Sequence, residues 1–294
     1  MNFKKHFLLL MITMLIAGLS LVGCSNNSAP TGPADNNDPV QDKLNIAVSI
    51  LPQADLVKMI GGDLVEVTVM IPPGANPDSF EPSTGDLKKL SKADLYIKIG
   101  HLPFEEAWMD RMMTANKSLI MIDGSEGIEL IDDHDPHIWL SPRLAKIQAE
   151  TISQACIEAD ADHKDYYLAN LAQTIEKLDK MDQAIQAELA DFKGRTFLVY
   201  HPAWGYLARD YGLIEIAIED HGKEPGPAHM AEIIELAKEQ GINTVFVSTQ
   251  HSTRSAEAVA AELKAEVVAI DPLPSKYEDI LTSVQLIKAA LGGN

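Results

Sequence analysis

The chain of 294 residues contains 43 acidic and 24 basic residues, and its formal net charge at pH 7 is -19. So negative a chain repels phosphate backbones and anionic lipid head groups, which argues against nucleic-acid binding and against electrostatic membrane association. Cations are the partners that this charge favours. The length is ample for a sizeable core, most readily divided between two lobes.

The N-terminus has the pattern of an export signal. Lys4 and Lys5 precede an apolar run over residues 7–22, which stops at Gly23 and Cys24. Residues 21–24 resemble the lipobox of bacterial lipoproteins, in which the cysteine is acylated. A plain signal peptide or an uncleaved anchor is the alternative. We expect residues 1–23 to be removed and Cys24 to anchor the protein outside the cytoplasm, in the periplasm or on the cell surface.

The chain has two cysteines, Cys24 and Cys156. If Cys24 is lipidated, Cys156 has no second thiol to pair with, so we expect no intramolecular disulfide. Cys156 lies among the apolar positions of a predicted helix, where a buried small residue is more common than a thiolate ligand. Residues 24–43 are rich in Asn, Pro and Asp, which is typical of a flexible tether.

Beyond the tether, short apolar runs alternate with longer helical patterns, which predicts an α/β fold with parallel sheets. Four strands in each half indicate two lobes, an N-terminal lobe over 44–160 and a C-terminal lobe over 193–294. The predicted strands are residues 44–50, 65–71, 95–99, 119–122, 196–200, 214–218, 244–248 and 267–270.

Between the lobes, residues 143–192 contain neither Gly nor Pro. In their second part, Leu, Ile and Met recur every three or four positions from Leu168 to Leu189, which predicts one amphipathic helix within 161–192. Such a helix of about 27 residues would extend about 40 Å along both lobes. We expect Asp160 and Asp162 to mark its start as caps. A coiled-coil partner is the competing explanation of the apolar stripe.

Imidazoles and carboxylates follow several predicted strands, at the edge where open parallel sheets bind ligands. They are His101, His137, His201, Asp271 and, in the loop after the second strand, Asp78. Zinc takes such nitrogen and oxygen ligands. Taken singly, a histidine at a strand end is more often an ordinary cleft or capping residue. Periodicity alone does not rank these residues against the other strand-end groups, which are 219–221 and 250–251.

Four segments carry a family resemblance: PGANPDSFEP over 73–82, DPHIWLSP over 135–142, YHPAWGY over 200–206 and IDPL over 270–273. With these in order, the chain resembles the cluster A-I lipoproteins that deliver zinc or manganese to ABC importers. The resemblance implies two α/β lobes, each with a parallel four-stranded sheet flanked by helices, joined by one long rigid helix with the metal between them.

The resemblance also implies a ligand set. His137, His201 and Asp271 match the second, third and fourth ligands of the family, and histidine at the third position is the zinc subtype. The first ligand departs from the pattern, since Asp78 replaces the usual histidine. We favour His101, at the neighbouring strand end, as the substitute, because it restores a histidine-rich zinc shell; Asp78 is the alternative.

The function that the resemblance implies is capture of zinc and its delivery to an ABC permease, by a monomeric lipoprotein and without catalysis. Manganese is the less favoured cargo, because it prefers an oxygen-rich shell. A surface adhesin is a further alternative, as an addition to metal binding. A zinc hydrolase is the remote one: Glu81, Glu105 or Glu219 could serve as its base, but the chain has no His-Glu-x-x-His motif.

Overall fold

The computed structural model describes residues 43–219, 223–251 and 254–292. The predicted export signal, the lipidation site Cys24, the tether up to residue 42 and His221 lie outside these ranges. None of the helices in the described ranges combines the length and the apolar character that a membrane span requires.

Two parallel four-stranded sheets form the centres of the two lobes. The first has the spatial order β2-β1-β3-β4 and consists of β1 (Leu44–Val48), β2 (Val65–Val69), β3 (Leu95–Lys98) and β4 (Ile120–Asp123). The second has the order β6-β5-β7-β8 and consists of β5 (Thr196–Val199), β6 (Ile214–Ala217), β7 (Thr244–Val247) and β8 (Glu266–Ala269). All eight predicted strands are therefore confirmed, with ends that agree to within about two residues.

Helices flank both sheets. Those of the first lobe are α1 (Leu51–Gly61), α2 (Thr84–Leu90), α3 (Pro103–Ala115) and α4 (Pro142–Ala159). The long α5 (Lys164–Leu189) is followed in the second lobe by α6 (Gly205–Tyr211), α7 (Pro227–Glu239), α8 (Arg254–Leu263) and α9 (Ile280–Gly292). Proline begins α3, α4 and α7, where its missing N–H costs no helical hydrogen bond. Ser83 and Asp86 form a reciprocal capping box at the start of α2.

The predicted linking helix is α5, which has 26 residues and a length of about 39 Å. It contacts α1 and α4 of the first lobe and α6 and α9 of the second. At its first half Asn170 donates to the carbonyl of Ile60 (2.9 Å), and at its second half Asp182 accepts from Tyr211 Oη (2.9 Å). Most of the apolar stripe is thus covered within the chain itself, so a coiled-coil partner is not needed to explain it.

The start of this helix differs from expectation. The carboxylate of Asp160 accepts from His163 Nδ1 and from Tyr167 Oη, each at 2.8 Å, and makes no capping bond to the backbone. Tyr167 is fully buried, whereas Leu168, which the stripe predicted as apolar contact, is 42% exposed. The buried phenol requires an acceptor, and Asp160 provides it. Asp160 therefore anchors a buried tyrosine and does not cap the helix.

One apolar cluster extends through both lobes, while a smaller cluster covers the other face of the second sheet. Trp139, in a short helical turn after β4, joins the lobes within the large cluster. Its indole Nε1 donates to the carbonyl of Pro272 (2.7 Å), and its own carbonyl accepts from Tyr277 Oη (2.6 Å). Tyr277 N in turn donates to Asp55 of α1 (2.8 Å). These buried bonds fix the separation of the two sheet edges.

We predict that Trp139→Phe lowers the free energy of unfolding by about 1–3 kcal/mol, because the buried carbonyl of Pro272 loses its donor while most of the apolar contact is kept. Urea denaturation measures this difference. Trp108→Phe, the same change at a partly buried position, is the control and should cost less. Equal losses at the two positions would show that the interlobe hydrogen bond contributes little.

Candidate metal centre

Four side chains from the two lobes meet at the carboxyl edges of the sheets. Asp78 lies in the loop after β2, and His137 lies in the segment between β4 and α4. From the second lobe come His201, directly after β5, and His251, shortly after β7. All four line one small cavity of about 10 Å³ between the lobes. The fold therefore brings together residues that are far apart in the sequence. Asp78 and His251, which are in contact, are 173 positions apart.

The atoms that converge are the Nε2 nitrogens and one carboxylate oxygen. His201 Nε2 is 3.3 Å from His137 Nε2 and 3.7 Å from Asp78 Oδ2. His251 Nε2 is 3.4 Å from the same oxygen. The rings of His201 and His251 stack with centroids 4.2 Å apart. Asp78, His201 and His251 each offer one ligand atom, and these atoms lie within 4.8 Å of one another.

These separations match those around a tetrahedral zinc ion. Two imidazole nitrogens at about 2.0–2.1 Å from one zinc ion, with a tetrahedral angle between them, lie about 3.3–3.4 Å apart. The observed Nε2 to Nε2 distance is 3.3 Å, and the Nε2 to Oδ2 distances are 3.4 and 3.7 Å. Asp78, His201 and His251 therefore lie close enough together for a single small dication, and His137 adjoins them through His201.

Each imidazole is oriented by a hydrogen bond on its other nitrogen. His137 Nδ1 pairs with Asp135 Oδ1 (2.7 Å), and His201 Nδ1 pairs with Glu219 Oε2 (2.5 Å). Since a carboxylate only accepts, Nδ1 carries the proton in both rings, which leaves the Nε2 lone pairs free. His251 Nδ1 lies 2.7 Å from Ser248 Oγ. In all three rings, a hydrogen-bond partner at Nδ1 thus orients Nε2 toward the cavity, as is common for histidines that bind metals.

The loops themselves are pinned by local bonds. Asn76 Oδ1 accepts from the backbone N–H of Asp78 (2.8 Å), and Asp135 Oδ1 accepts from that of His137 (2.9 Å). Across the interface, Tyr206 Oη donates to the carbonyl of Asp135 (2.7 Å) and accepts from Ile131 N (3.0 Å). A residue of the second lobe therefore positions the loop that presents His137.

The electrostatics of the site favour a positive charge. Burial acts to raise the pKa of Asp78, but its hydrogen bond with His251 and the neighbouring His201 and His137 outweigh burial and lower that pKa. Burial acts to lower the pKa of His201, but the hydrogen bond to Glu219 and the charge of Asp78 outweigh it and raise that pKa above 6.5. Burial raises the pKa of Glu215 to about 7. A proton or a metal ion at His201 Nε2 is thus stabilised by the surrounding carboxylates.

The structure brings together His137 and His201 of the predicted set, and with them Asp78, which was the alternative first ligand. It does not bring His101 to them. The backbone of Gly100 and His101 has positive φ (85° and 64°) and turns away after β3. The imidazole of His101 is partly exposed and lies 3.8 Å from Glu106. In this structure His101 therefore lies against α3, whereas Asp78 faces His201 and His251.

Asp271 occupies a different position from the one expected. Its Oδ1 accepts from Gln250 Nε2 (3.1 Å) and from the backbone N–H of Leu273 (2.9 Å). Asp271 is exposed, whereas Pro272 and Leu273, which follow it, line the cavity. It therefore lies beside the converging atoms, in contact with a residue that lines the cavity.

His251 is the group that sequence reasoning did not select. It belonged to one of the two unranked strand-end groups, 250–251. Its position after β7 could have ranked it above the other strand-end residues. In the sheet β7 is the neighbour of β5, and residues that follow adjacent parallel strands lie at the same edge. That adjacency is a property of the sheet order and cannot be read from the chain.

Comparison with known proteins identifies the family. A family model described as ZnuA, zinc-uptake complex component A periplasmic, matches residues 46–291. The high-affinity zinc uptake system protein ZnuA of Bacillus subtilis (strain 168) is 29% identical over 285 residues, which cover 88% of this chain and 87% of that protein. The zinc-binding lipoprotein AdcA of Streptococcus pneumoniae R6 is also 29% identical, over 91% of this chain but only 56% of its own length.

Solved structures share the fold. A crystal structure of ZnuA superposes with a TM-score of 0.82 at 39% identity, over 85% of this chain and all of the other. The laminin-binding protein Lmb of Streptococcus agalactiae, described as bifunctional with adhesin and metal-transporting activity, has a TM-score of 0.78 at 26% identity, over 85% of this chain and 99% of its own. The extent of the family match and the shared two-lobed fold show that this chain belongs to the ZnuA family of periplasmic zinc-uptake components.

Proposed function

We propose that this protein captures one zinc ion between its lobes and delivers it to an ABC permease. The observation that carries the proposal is the cluster of Asp78 Oδ2 with the Nε2 atoms of His201 and His251, which His137 Nε2 adjoins at 3.3 Å from His201 Nε2. This ligand set keeps His137 and His201 from the sequence analysis, takes Asp78 in place of His101, and adds His251. Zinc is the cargo.

Two features favour zinc over manganese. Three imidazoles and one carboxylate form a nitrogen-rich set, and imidazole favours ions late in the Irving–Williams order, whereas manganese prefers oxygen. The relatives ZnuA and AdcA are named for zinc uptake and zinc binding. Manganese remains the second candidate cargo.

Capture is favoured over hydrolysis by the size of the cavity and by the roles of the acidic residues. A cavity of about 10 Å³ suits an ion or one water, while organic ligands occupy about 300–1,000 Å³. Glu219, once a candidate base, orients His201 Nδ1. Glu105, another, is buried and accepts from the backbone of Ile99 (2.8 Å) and Gly100 (2.9 Å). Both carboxylates are thus occupied by structural bonds.

Delivery follows from the proposed arrangement of the whole chain. Residues 1–23 would be removed, Cys24 would carry lipid, and 24–43 would tether the lobes (44–160 and 193–294), joined by 161–192, near the permease. The AdcA relative is named a lipoprotein. Residues 1–23 contain two lysines and no acidic residue, so the processed chain would be more negative than the full-length value of -19, and this charge raises the local concentration of cations around the monomer. An adhesin activity, suggested by the likeness to Lmb, would be an addition to metal binding.

Titration calorimetry of the full chain in mild detergent, with zinc and manganese in parallel, tests this function. We expect one zinc ion per chain and weaker binding of manganese. Asp78→Ala should weaken zinc binding at least about tenfold, because it removes the oxygen ligand. His101→Asn, the matched control, should leave affinity unchanged, since asparagine tolerates the positive φ of 64° at this position.

The reverse result, a loss with His101→Asn and none with Asp78→Ala, would restore His101 as the first ligand. Absence of zinc binding by the wild type would refute the proposed function.

Zinc binding should weaken steeply as the pH falls. Imidazole must be neutral to coordinate, and the hydrogen bond to Glu219 and the charge of Asp78 raise the pKa of His201, so protons compete with zinc at a higher pH than they would at an ordinary imidazole. We expect the apparent affinity, measured by chelator competition, to fall at least about tenfold between pH 7.5 and 5.5, since each coordinating imidazole must lose its proton to bind. His101→Asn should follow the wild-type profile. An affinity independent of pH over this range would exclude a histidine-rich site.

Cys24→Ala should release the protein from membranes and abolish its labelling by radioactive palmitate, because the proposed acylation site is lost. Cys156→Ala is the matched control. Cys156 is fully buried, and burial raises its pKa to about 12, which makes its thiol unreactive, so this variant should stay with the membrane. Membrane association of Cys24→Ala equal to that of the wild type would mean that another element anchors the chain.

A further inference from the structure

Gln250 has an unexplained feature beside the metal centre. It precedes His251 and lines the same cavity as Asp78, His137 and His201. Its carbonyl oxygen Oε1 is buried and has no hydrogen-bond partner in the described ranges. A buried amide oxygen without a donor is unfavourable, and such groups call for an explanation such as an ion or a water that satisfies them.

The orientation of this amide is set by Asp271. Gln250 Nε2 donates to Asp271 Oδ1 (3.1 Å), and the same oxygen accepts from Leu273 N (2.9 Å). A carboxylate only accepts, so the NH₂ group of Gln250 must face Asp271 and the carbonyl oxygen must lie on the other side of the amide. Without Asp271, the amide could rotate and present its NH₂ group to the cavity, where a cation would be repelled.

We propose that Gln250 Oε1 is an additional, neutral oxygen donor to the captured zinc ion, and that Asp271 is the positioning residue that orients it. The inference rests on the proposed function. It gives Asp271 an indirect role in place of the direct ligation expected from the sequence. An amide oxygen is an acceptable zinc donor in a shell that expands beyond four ligands.

This arrangement has a consequence for charge. With Asp78 as the one carboxylate ligand, zinc and its shell keep a net charge of +1. A second carboxylate in contact with the ion would cancel that charge and strengthen the hold on zinc. A neutral amide supplies an oxygen without adding charge, and this suits a protein that must release its cargo.

A double-mutant cycle on the full chain in mild detergent tests the relation between the two residues. Gln250→Leu and Asp271→Ala should each weaken zinc affinity about tenfold, as loss of an outer metal-site partner does. The double variant should be no weaker than either single variant, because Asp271 would act through Gln250. Asp271→Asn should recover affinity to within about threefold of the wild type, since its amide oxygen can still accept from Gln250 Nε2.

A second measurement does not depend on zinc affinity. In the cobalt-loaded protein, loss of an oxygen donor should shift the visible spectrum toward the stronger absorption of four-coordinate cobalt. Gln250→Leu and Asp271→Ala should give the same shift. Gln148→Leu is the matched control, because Gln148 in α4 is also a buried glutamine whose amide lacks a partner in the described ranges, and it lies outside the cavity lining. Circular dichroism verifies that each variant is folded.

The outcomes separate the possibilities. If Asp271→Ala costs the same with and without Gln250→Leu, Asp271 acts independently and the inference is overturned. An unchanged affinity and cobalt spectrum in Gln250→Leu also overturns it, although wild-type zinc binding would leave the proposed function intact. If the wild type itself binds no zinc, both proposals fall.

Discussion

The fixed separation of two sheet edges is the constraint on which the site depends. Each lobe supplies two of the four side chains at the cavity, so a change of an ångström in the distance between the lobes would separate His201 from His137 and Asp78. The buried bonds of Trp139 to Pro272 and Tyr277, together with the continuous helix α5, hold this distance. Because Trp139 and Pro272 also line the cavity, the packing that joins the lobes also forms the wall of the site.

Two of the nitrogen lone pairs at the cavity repel each other, and a bound cation would relieve this repulsion. Two Nε2 lone pairs face each other at 3.3 Å, and their rings are held in this tautomer by Asp135 and Glu219. Protonation at His201 or binding of a dication converts this repulsion into attraction toward Asp78. The site thus has its orientation before metal arrives, which reduces the conformational entropy lost on binding. Because the same nitrogen atom can bind a proton or a metal ion, protons compete with the metal for this site.

The difference between His101 and Asp78 illustrates why residue chemistry alone is an uncertain guide. His101 has the donor that zinc prefers and follows the adjacent strand β3, yet the left-handed backbone at Gly100 and His101 turns the side chain toward Glu106. Asp78 has the less expected donor but lies on a loop that crosses to the second lobe. There its carboxylate contacts His251, which follows β7, so that a third imidazole lies beside those of His137 and His201.

The sequence by itself determined the two-lobed α/β architecture, the eight strands and the linking helix, because alternating apolar periods and long helical stripes are local properties of the chain. It also placed His201 directly after a strand and His137 in the loop between the fourth strand and the next helix. Only the tertiary structure decided that Asp78 and His251 join them, that Asp271 contacts Gln250, and that Asp160 binds Tyr167 instead of capping a helix. These outcomes depend on sheet order, on the backbone turn after β3 and on contacts between lobes, which are set by packing across long sequence separations and leave no local pattern.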